Sequence, residues 1–298
     1  MNRGVLYAVG AYLIWGFLPI YWKALKQVPA LEILNNRVVW SLIFLAILIT
    51  ARKNWAPLRK AITGPKVVVV YGVAACLLAV NWLTYIWGVN AGYIVETSLG
   101  YFINPLVNVL LGVLFLREKL RPLQWLPIGM AAAGVLYLTF SVGSLPWIAL
   151  VLAFTFGFYG LVKKMAPLGS LHSLTLETGI LFIPSLTYLA FITLQGSGGF
   201  PQYDTQTNLL LVFTGVVTAV PLLLFGAAAR SIPLSALGLL QYIAPTCQFL
   251  IGVLIYDEPF TRSSLIGFSI IWAALALYWL ENFLARRQAS RLTHSLTD

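Results

Sequence analysis

The sequence carries little charge: Asp, Glu, Lys and Arg make up 9% of its 298 residues, whereas 60% are hydrophobic. A soluble domain has about 25% charged residues, with which it covers its water-facing surface. This composition therefore excludes an ordinary soluble enzyme, and the high apolar content excludes a disordered chain. Cysteine is scarce as well. Cys76 and Cys247 both lie in apolar runs, so we expect neither a disulfide framework nor a cysteine-based metal site.

The sequence also lacks the motifs of nucleotide hydrolysis and covalent catalysis. It contains no G-x-x-x-x-G-K-[ST] run, which excludes an ATPase within the chain. Neither H-E-x-x-H nor G-x-S-x-G occurs, and the two histidines, His172 and His294, form no metal cluster or nucleophile–base pair. We therefore expect a protein that is not an enzyme and uses no metal or cofactor. The energy source of any process that the protein carries out must be an ion gradient, substrate exchange or the substrate's own gradient.

Long apolar runs are what the chain has in abundance. A bilayer core of ~30 Å needs about 20 apolar residues per helix, and ten such runs are present. They cover residues 4–22, 32–51, 67–88, 93–115, 123–140, 145–163, 172–194, 208–228, 234–256 and 264–284. The first run is too long for a signal peptide, and no small-residue cleavage site follows it. The sequence predicts an all-α integral membrane protein with ten transmembrane helices in the lipid bilayer.

The formal net charge of +10 predicts topology rather than nucleic-acid binding. Lysine and arginine accumulate in the cytoplasmic loops of membrane proteins. If the N-terminus is cytoplasmic, fifteen of the 19 lysines and arginines lie inside and three, Lys23, Lys26 and Arg262, lie outside. The remaining one, Arg37, falls within the second run. We therefore predict that both termini are cytoplasmic and that nucleic acid is not a partner.

The two halves of the chain resemble each other at a separation of 140 residues. Eight positions within 99–120 are identical in 239–260. The identical pairs are Leu99/Leu239, Ile103/Ile243, Pro105/Pro245, Leu110/Leu250, Gly112/Gly252, Val113/Val253, Leu114/Leu254 and Glu118/Glu258. Each half holds five helices, and an odd number places the second copy upside down. The sequence predicts two inverted five-helix repeats, residues 1–140 and 141–298, an architecture common among secondary transporters with a site near the midplane.

Motifs in both halves carry a resemblance to a known family. They are Asn81-Trp82, Trp87-Gly88-Val89-Asn90 and the stretch from Glu96 to Leu106 in the first half, and the stretches from Thr218 to Leu222 and from Gly238 to Pro245 in the second. Over nearly its whole length, the chain resembles the RarD-type permeases of the EamA, or drug/metabolite transporter (DMT), superfamily. The resemblance implies a ten-helix permease of the bacterial inner membrane, with a 5+5 inverted repeat. Such families are linked mostly to the export of metabolites or drugs.

Two ionisable residues at bilayer depth are the first candidates for a site. Such groups cost about 2.5–3.5 kcal/mol each on insertion scales, so each is a candidate for function. Arg37 on the second helix and Glu177 on the seventh are 140 residues apart and therefore occupy equivalent positions. They form an ion pair that holds the halves together, bind the carboxylate and amine of a zwitterionic substrate, or act in gating or proton transfer. The sequence leaves these alternatives open.

Polar stripes on the fourth and ninth helices are the second candidate. At 100° per residue, the polar residues of each helix fall on one face. The residues concerned are Glu96, Asn104 and Asn108 on the fourth helix, Gln241 and Gln248 on the ninth, and Tyr101, which is the repeat equivalent of Gln241. They line a substrate cavity, or they bond amide to amide between helices, which is worth only about 0.6–2 kcal/mol per contact. For Glu96 the alternative is a charge stabilised by the helix dipole near the outer interface.

Prolines and aromatic residues complete the set of candidates. Pro105 and Pro245 are expected to interrupt the fourth and ninth helices at equivalent places, because proline frees a carbonyl one turn back. Matching interruptions indicate a binding site or hinges, the alternative being packing geometry without motion. Asn81 and Tyr85 lie one turn apart on the third helix, where an amide beside an aromatic ring suits a ligand that is partly polar and partly apolar.

These features predict a secondary transporter that exports a small amphipathic metabolite or drug by alternating access. The substrate would contact Arg37, Glu177, the residues of the third helix and the polar stripes. Glu96, Glu177 and the two prolines would serve gating or coupling, with protons passing through Glu96 or Glu177. The alternatives are a passive channel and, from another class, a membrane-embedded enzyme acting on lipid-linked substrates. The substrate stays open, and so does a homodimer.

Overall fold

The computed structural model describes residues 3–91, 93–142, 147–196, 199–256 and 262–294. Throughout these ranges the regular structure is helical, without a β-strand. The helices are α1 (Arg3–Ala24), α2 (Ala30–Ala51), α3 (Ala56–Ile62), α4 (Pro65–Asn90), α5 (Ile94–Leu116), α6 (Trp125–Val142), α7 (Trp147–Met165), α8 (Ser170–Leu194), α9 (Thr205–Ser231), α10 (Leu234–Gln241), α11 (Ile243–Ile255) and α12 (Arg262–His294). A single 3₁₀ turn, Pro122–Gln124, precedes α6.

Ten segments of the described chain are long and apolar enough to cross a membrane, as the sequence predicts. α3 is a short helix in the connection between the second and third spans. The ninth span consists of two helices, α10 and α11, which together cover Leu234–Ile255. The all-α multi-pass membrane fold is therefore confirmed.

The two equivalent prolines behave differently. Pro245 has no N–H to donate to the carbonyl of Gln241, the residue at which α10 ends. Pro105 lies inside α5, which continues without a break from Ile94 to Leu116. The predicted interruption is thus found at Pro245 and is wrong at Pro105, because a helix can lose one hydrogen bond at a proline and continue on both sides of it.

The start of α9 shows how the local sequence sets a helix boundary. The carboxylate of Asp204 accepts hydrogen bonds from the backbone N–H and the side-chain hydroxyl of Thr207, at 3.0 and 2.6 Å. This is the arrangement of a helix N-cap. Because both bonds favour the charged carboxylate, they hold the pKa of Asp204 below its ordinary value.

Helices that are equivalent by the 140-residue offset pack against each other. At the start of α8, the ring of His172 bonds the carbonyl of Asn54, which follows α2. At the start of α2, the carboxylate of its repeat equivalent Glu32 accepts from the N–H of Phe200, which follows α8. α2 and α8 therefore lie side by side in opposite directions, as an inverted repeat requires.

A second contact joins a position to its own repeat equivalent. The hydroxyl of Tyr242 donates to the carbonyl of Phe102, 140 residues earlier, at 3.2 Å. Nearby, Gly238 of α10 faces the carbonyl of Pro105, and a Cβ added there would lie 2.6 Å from that oxygen. Glycine thus allows α10 and α5 to cross at close range.

The centre of the bundle is filled by aromatic rings. Tyr12 of α1, Tyr159 of α7 and Phe225 of α9 are fully buried, and the rings of Tyr159 and Phe225 stack at 6.1 Å. α6 and α12 pack chiefly against each other and against α5. The core therefore joins helices of the first half to helices of the second.

Candidate functional site

Arg37 lies in the second turn of α2, surrounded by groups from three other helices. Its Nε donates to the hydroxyl of Thr218 on α9 at 2.9 Å. Its guanidinium carbon is 4.9 Å from the ring centroid of Trp22 on α1 and 4.8 Å from that of Trp82 on α4. Both distances are within the range of cation–π attraction. The cation is thus held by two indole rings and one hydroxyl.

Two tyrosines extend this environment. The rings of Tyr85 and Tyr101 meet edge to face, with centroids 5.9 Å apart. Both side chains are near enough to interact electrostatically with the guanidinium of Arg37. The side chain of Tyr101 is 37% accessible, so this edge of the group is open rather than packed core. We name the group formed by Trp22, Arg37, Trp82, Tyr85, Tyr101 and Thr218 the Arg37 cage.

Glu177 does not pair with Arg37. Its carboxylate is fully buried and accepts from the ammonium of Lys163 at 2.8 Å, from the hydroxyl of Tyr159 at 3.0 Å and from Ser173 at 2.9 Å. Lys163 also donates to Ser173. The ion pair between positions 37 and 177 that the sequence allows is therefore not formed. With three donors and no exposed surface, Glu177 is also closed to a substrate amine in this conformation.

Lys163 is a partner that sequence reasoning missed, because it was assigned to the predicted cytoplasmic loops. A signal for it exists. A carboxylate at bilayer depth needs a cation, and Lys163, in the last turn of α7, is separated from α8 by a short connection. For Trp22, near the end of α1, the sequence offers no such signal, since a tryptophan there is equally typical of the interfacial belt. Trp82 adjoins the predicted Asn81, but nothing in the sequence pairs it with Arg37.

The polar stripes of α5 and α10 meet, and they do so by bonding to each other. Asn108 donates to Asn104 and to the side-chain oxygen of Gln241, both at 3.1 Å. Asn104 in turn donates to the carbonyl of Ala153 on α7 at 2.6 Å. All three amides are at least 96% buried. The structure thus places them in interhelical amide bonds.

The remaining predicted site residues belong neither to the Arg37 cage nor to the group of buried amides. Asn81 donates to the carbonyl of Leu152 at 2.9 Å and to Thr155 at 3.0 Å, which ties α4 to α7. Gln248 donates to the carbonyl of Trp15 on α1 at 3.1 Å. Glu96 belongs to the first turn of α5, but its side chain lies outside the described residues, and so does Glu258.

A set of ionic side chains joins helix ends at the face that the sequence predicts to be cytoplasmic. The carboxylate of Glu118, just after α5, accepts from the backbone N–H and the hydroxyl of Ser235 at 3.0 and 2.6 Å. Lys164 donates to the carbonyl of Ile232 at 2.6 Å, and Arg230 donates to that of Leu168 at 2.8 Å. We name Glu118, Lys164 and Arg230 the latch. It connects the ends of α5, α7, α9 and α10.

Comparisons with known proteins agree with this architecture. The model of the EamA-like transporter family matches twice, over residues 2–140 and 145–280. Protein RarD of Streptomyces exfoliatus is 46% identical over 98% of this chain and 93% of its own length. The uncharacterized transporter YojE of Bacillus subtilis (strain 168) is 46% identical over 93% of each chain.

A solved crystal structure supports the fold alone. Its sequence is 18% identical to this chain, and the two superpose with a TM-score of 0.71 over 94% of this chain and 98% of the other. Family matches over both halves, together with relatives of this identity over nearly the full length, establish the class of the protein as a membrane transporter. The chain belongs to the EamA-like transporter family, among its RarD-type permeases.

Proposed function

We propose that the protein is a secondary transporter that moves a small amphipathic metabolite or drug out of the cell by alternating access. The observation that carries the proposal is the Arg37 cage, a guanidinium deep in the bundle beside the partly accessible ring of Tyr101. A charge at this depth is costly to keep, which favours a functional role over simple packing. The bacterial inner membrane, with both termini cytoplasmic, is the proposed location.

The positions of the cage and the latch support alternating access. Arg37 is seven residues from the first residue of α2, which is about 10 Å along a helix. That end of α2 faces the predicted outside, whereas the latch joins helix ends at the predicted cytoplasmic face. The conformation is therefore held together at the face that the sequence predicts to be cytoplasmic. In a transport cycle, the latch must open to admit substrate from the cytoplasm.

The decisive experiment is flux into proteoliposomes that contain the purified full-length protein. We expect saturable flux of amphipathic test compounds, and we expect Arg37→Gln to lose most of it. Arg121→Gln is the matched control, because Arg121 is an arginine in a connection, paired with Glu281 at 2.7 Å far from the cage. This control should keep wild-type flux.

The other outcomes separate the alternatives. Flux that is independent of a pH gradient would overturn proton coupling while leaving transport intact. Ohmic conductance would replace the transporter by a passive channel. Turnover of a lipid-linked substrate by the purified protein would replace it by a membrane-embedded enzyme. The absence of saturable flux for every compound would count against transport itself.

A further inference from the structure

The Arg37 cage contains hydrogen-bond donors for which the described residues supply no acceptor. A guanidinium has five N–H donors in a planar fork and no acceptor. The Nε–H of Arg37 donates to the hydroxyl of Thr218. Among the residues that the structure describes, the two Nη groups of Arg37 donate to none, and the hydroxyls of Tyr85 and Tyr101 have no hydrogen-bond partner. A ligand bound here must therefore supply acceptors.

Within the described part of the chain, the charge of the cage is also without a counter-ion. No carboxylate of the described chain lies within ion-pair distance of Arg37. The indole rings of Trp22 and Trp82 attract the cation but cannot neutralise it. At the equivalent position in the second half, Glu177 has its counter-ion in Lys163. A positive charge that no described carboxylate pairs with favours a ligand with one negative charge.

The surroundings of the donors indicate what that anion must carry. Four aromatic rings, those of Trp22, Trp82, Tyr85 and Tyr101, lie around the guanidinium. Such rings gain contact energy from a flat apolar group that packs on their faces or edges. A bare phosphate or sulfate would use the donors but leave the rings without contacts. The paired donors of a guanidinium fork match the two oxygens of a carboxylate.

We propose that the Arg37 cage binds an organic monoanion, in which a carboxylate meets the Nη groups of Arg37 and an attached flat apolar group packs against the rings. The inference rests on the proposed function, because it names the substrate class of the same site. It differs from a zwitterion site in that the second charge, Glu177, is already taken by Lys163. An amine on the ligand is therefore unnecessary.

The test is isothermal titration of the purified full-length protein with three ligands. They are naphthalene-2-carboxylate, the uncharged naphthalene-2-carboxamide and inorganic phosphate. We expect the carboxylate to bind at least about tenfold more tightly than the carboxamide, as for a hydrogen-bonded charge pair. Phosphate should bind more weakly than the carboxylate. Arg37→Gln should remove the preference for the carboxylate, and Arg121→Gln should keep it.

The outcomes distinguish this inference from the proposed function. Equal affinity for acid and amide, tighter binding of phosphate, or no binding of any of the three overturns the inference. If Arg37→Gln does not fold, the affinities of the unmodified protein for the carboxylate and the carboxamide are sufficient to test the inference. Saturable flux of neutral compounds that the carboxylate does not inhibit overturns the inference but leaves the transporter. Carboxylate binding without flux of any compound supports the inference and overturns transport.

Discussion

At the scale of single residues, positions 37 and 177 are occupied by opposite charges in different environments. Glu177 is fully buried and surrounded by donors, whereas the Nη groups of Arg37 have no acceptor among the described residues and lie beside an accessible ring. Of the two equivalent positions, Glu177 thus carries a charge that stabilises the fold, and Arg37 carries a charge that a ligand can contact. We expect that substitution of Glu177 lowers the stability of the protein, whereas substitution of Arg37 weakens ligand binding.

Glu177→Gln should destabilise the protein strongly. The substitution leaves the ammonium of Lys163 buried without a counter-ion, and breaking a buried pair in this way costs about 3–5 kcal/mol. The double variant Lys163→Met/Glu177→Leu removes both charges at similar volume and should recover much of the loss. The measurement is thermal unfolding of the purified variants in one detergent.

The same variants decide whether Glu177 carries protons. If the double variant folds and its flux still responds to a pH gradient, the carboxylate is not the coupling group. A stable double variant that has lost only this response would contradict the structural role. A single variant as stable as the wild type would contradict it too, because the buried ammonium would then need no partner.

At the scale of elements, the start of α10 depends on a carboxylate from another helix. Position 233, which precedes α10, is a proline and supplies no side-chain cap, and Glu118 bonds the N–H of Ser235 instead. An anion at a helix N-terminus satisfies donors that have no partner within the helix. Glu118 therefore couples the end of α5 to the start of α10.

Glu118→Ala should loosen the first turn of α10 without unfolding the protein. Loss of a cap costs roughly 1 kcal/mol, so we expect about fivefold faster exchange of the amide hydrogens of Leu234 and Ser235. Hydrogen–deuterium exchange of the purified protein measures this. Lys119→Ala, an exposed neighbour in the same connection, is the control and should leave the exchange unchanged. Unchanged exchange in Glu118→Ala would show that the cap adds nothing.

The contact between α2 and α9 depends on a glycine. A Cβ on Gly215 would collide with the carbonyl group of Trp40, which is backbone and cannot rotate away. Gly215→Ala should therefore destabilise the protein by about 1–3 kcal/mol, as overpacking does. Gly179→Ala is the matched control, because no atom lies within 4 Å of its Cβ position. Thermal unfolding of both variants checks this, and equal melting temperatures would contradict it.

How far the sequence predicts these elements depends on the physical signal each leaves. The spans are predictable because a membrane imposes length and apolarity on every crossing helix. Pro105 and Pro245 leave the same signal in the sequence, yet only the helix at Pro245 breaks, so the sequence cannot tell the two apart. Arg37, Tyr85 and Tyr101 were identifiable as candidates. The contacts of Arg37 with Trp22, Trp82 and Thr218 were not, because these partners lie on three other helices and no local pattern records which helices meet.

At the scale of the whole molecule, two halves of five helices share one core and one latch. The latch lies at one end of this shared core, where Glu118, Lys164 and Arg230 bond backbone groups of neighbouring helix ends. We infer that these contacts must part before this face can admit a ligand, and that the orientation of the chain in the membrane decides which solution the latch meets.

That orientation is the last prediction. Without Lys163, which is buried against Glu177, fourteen of the fifteen lysines and arginines remain against three, and they predict that the connection between α3 and α4, like the latch, is cytoplasmic. In a background with both native cysteines replaced by serine, exposed Thr63 and exposed Gln202 are uncharged positions in opposite connections. A membrane-impermeant maleimide should label Gln202→Cys in intact cells and Thr63→Cys only after permeabilisation. The reverse pattern would put the latch outside and make the proposed direction of export wrong, while the Arg37 cage would remain as described.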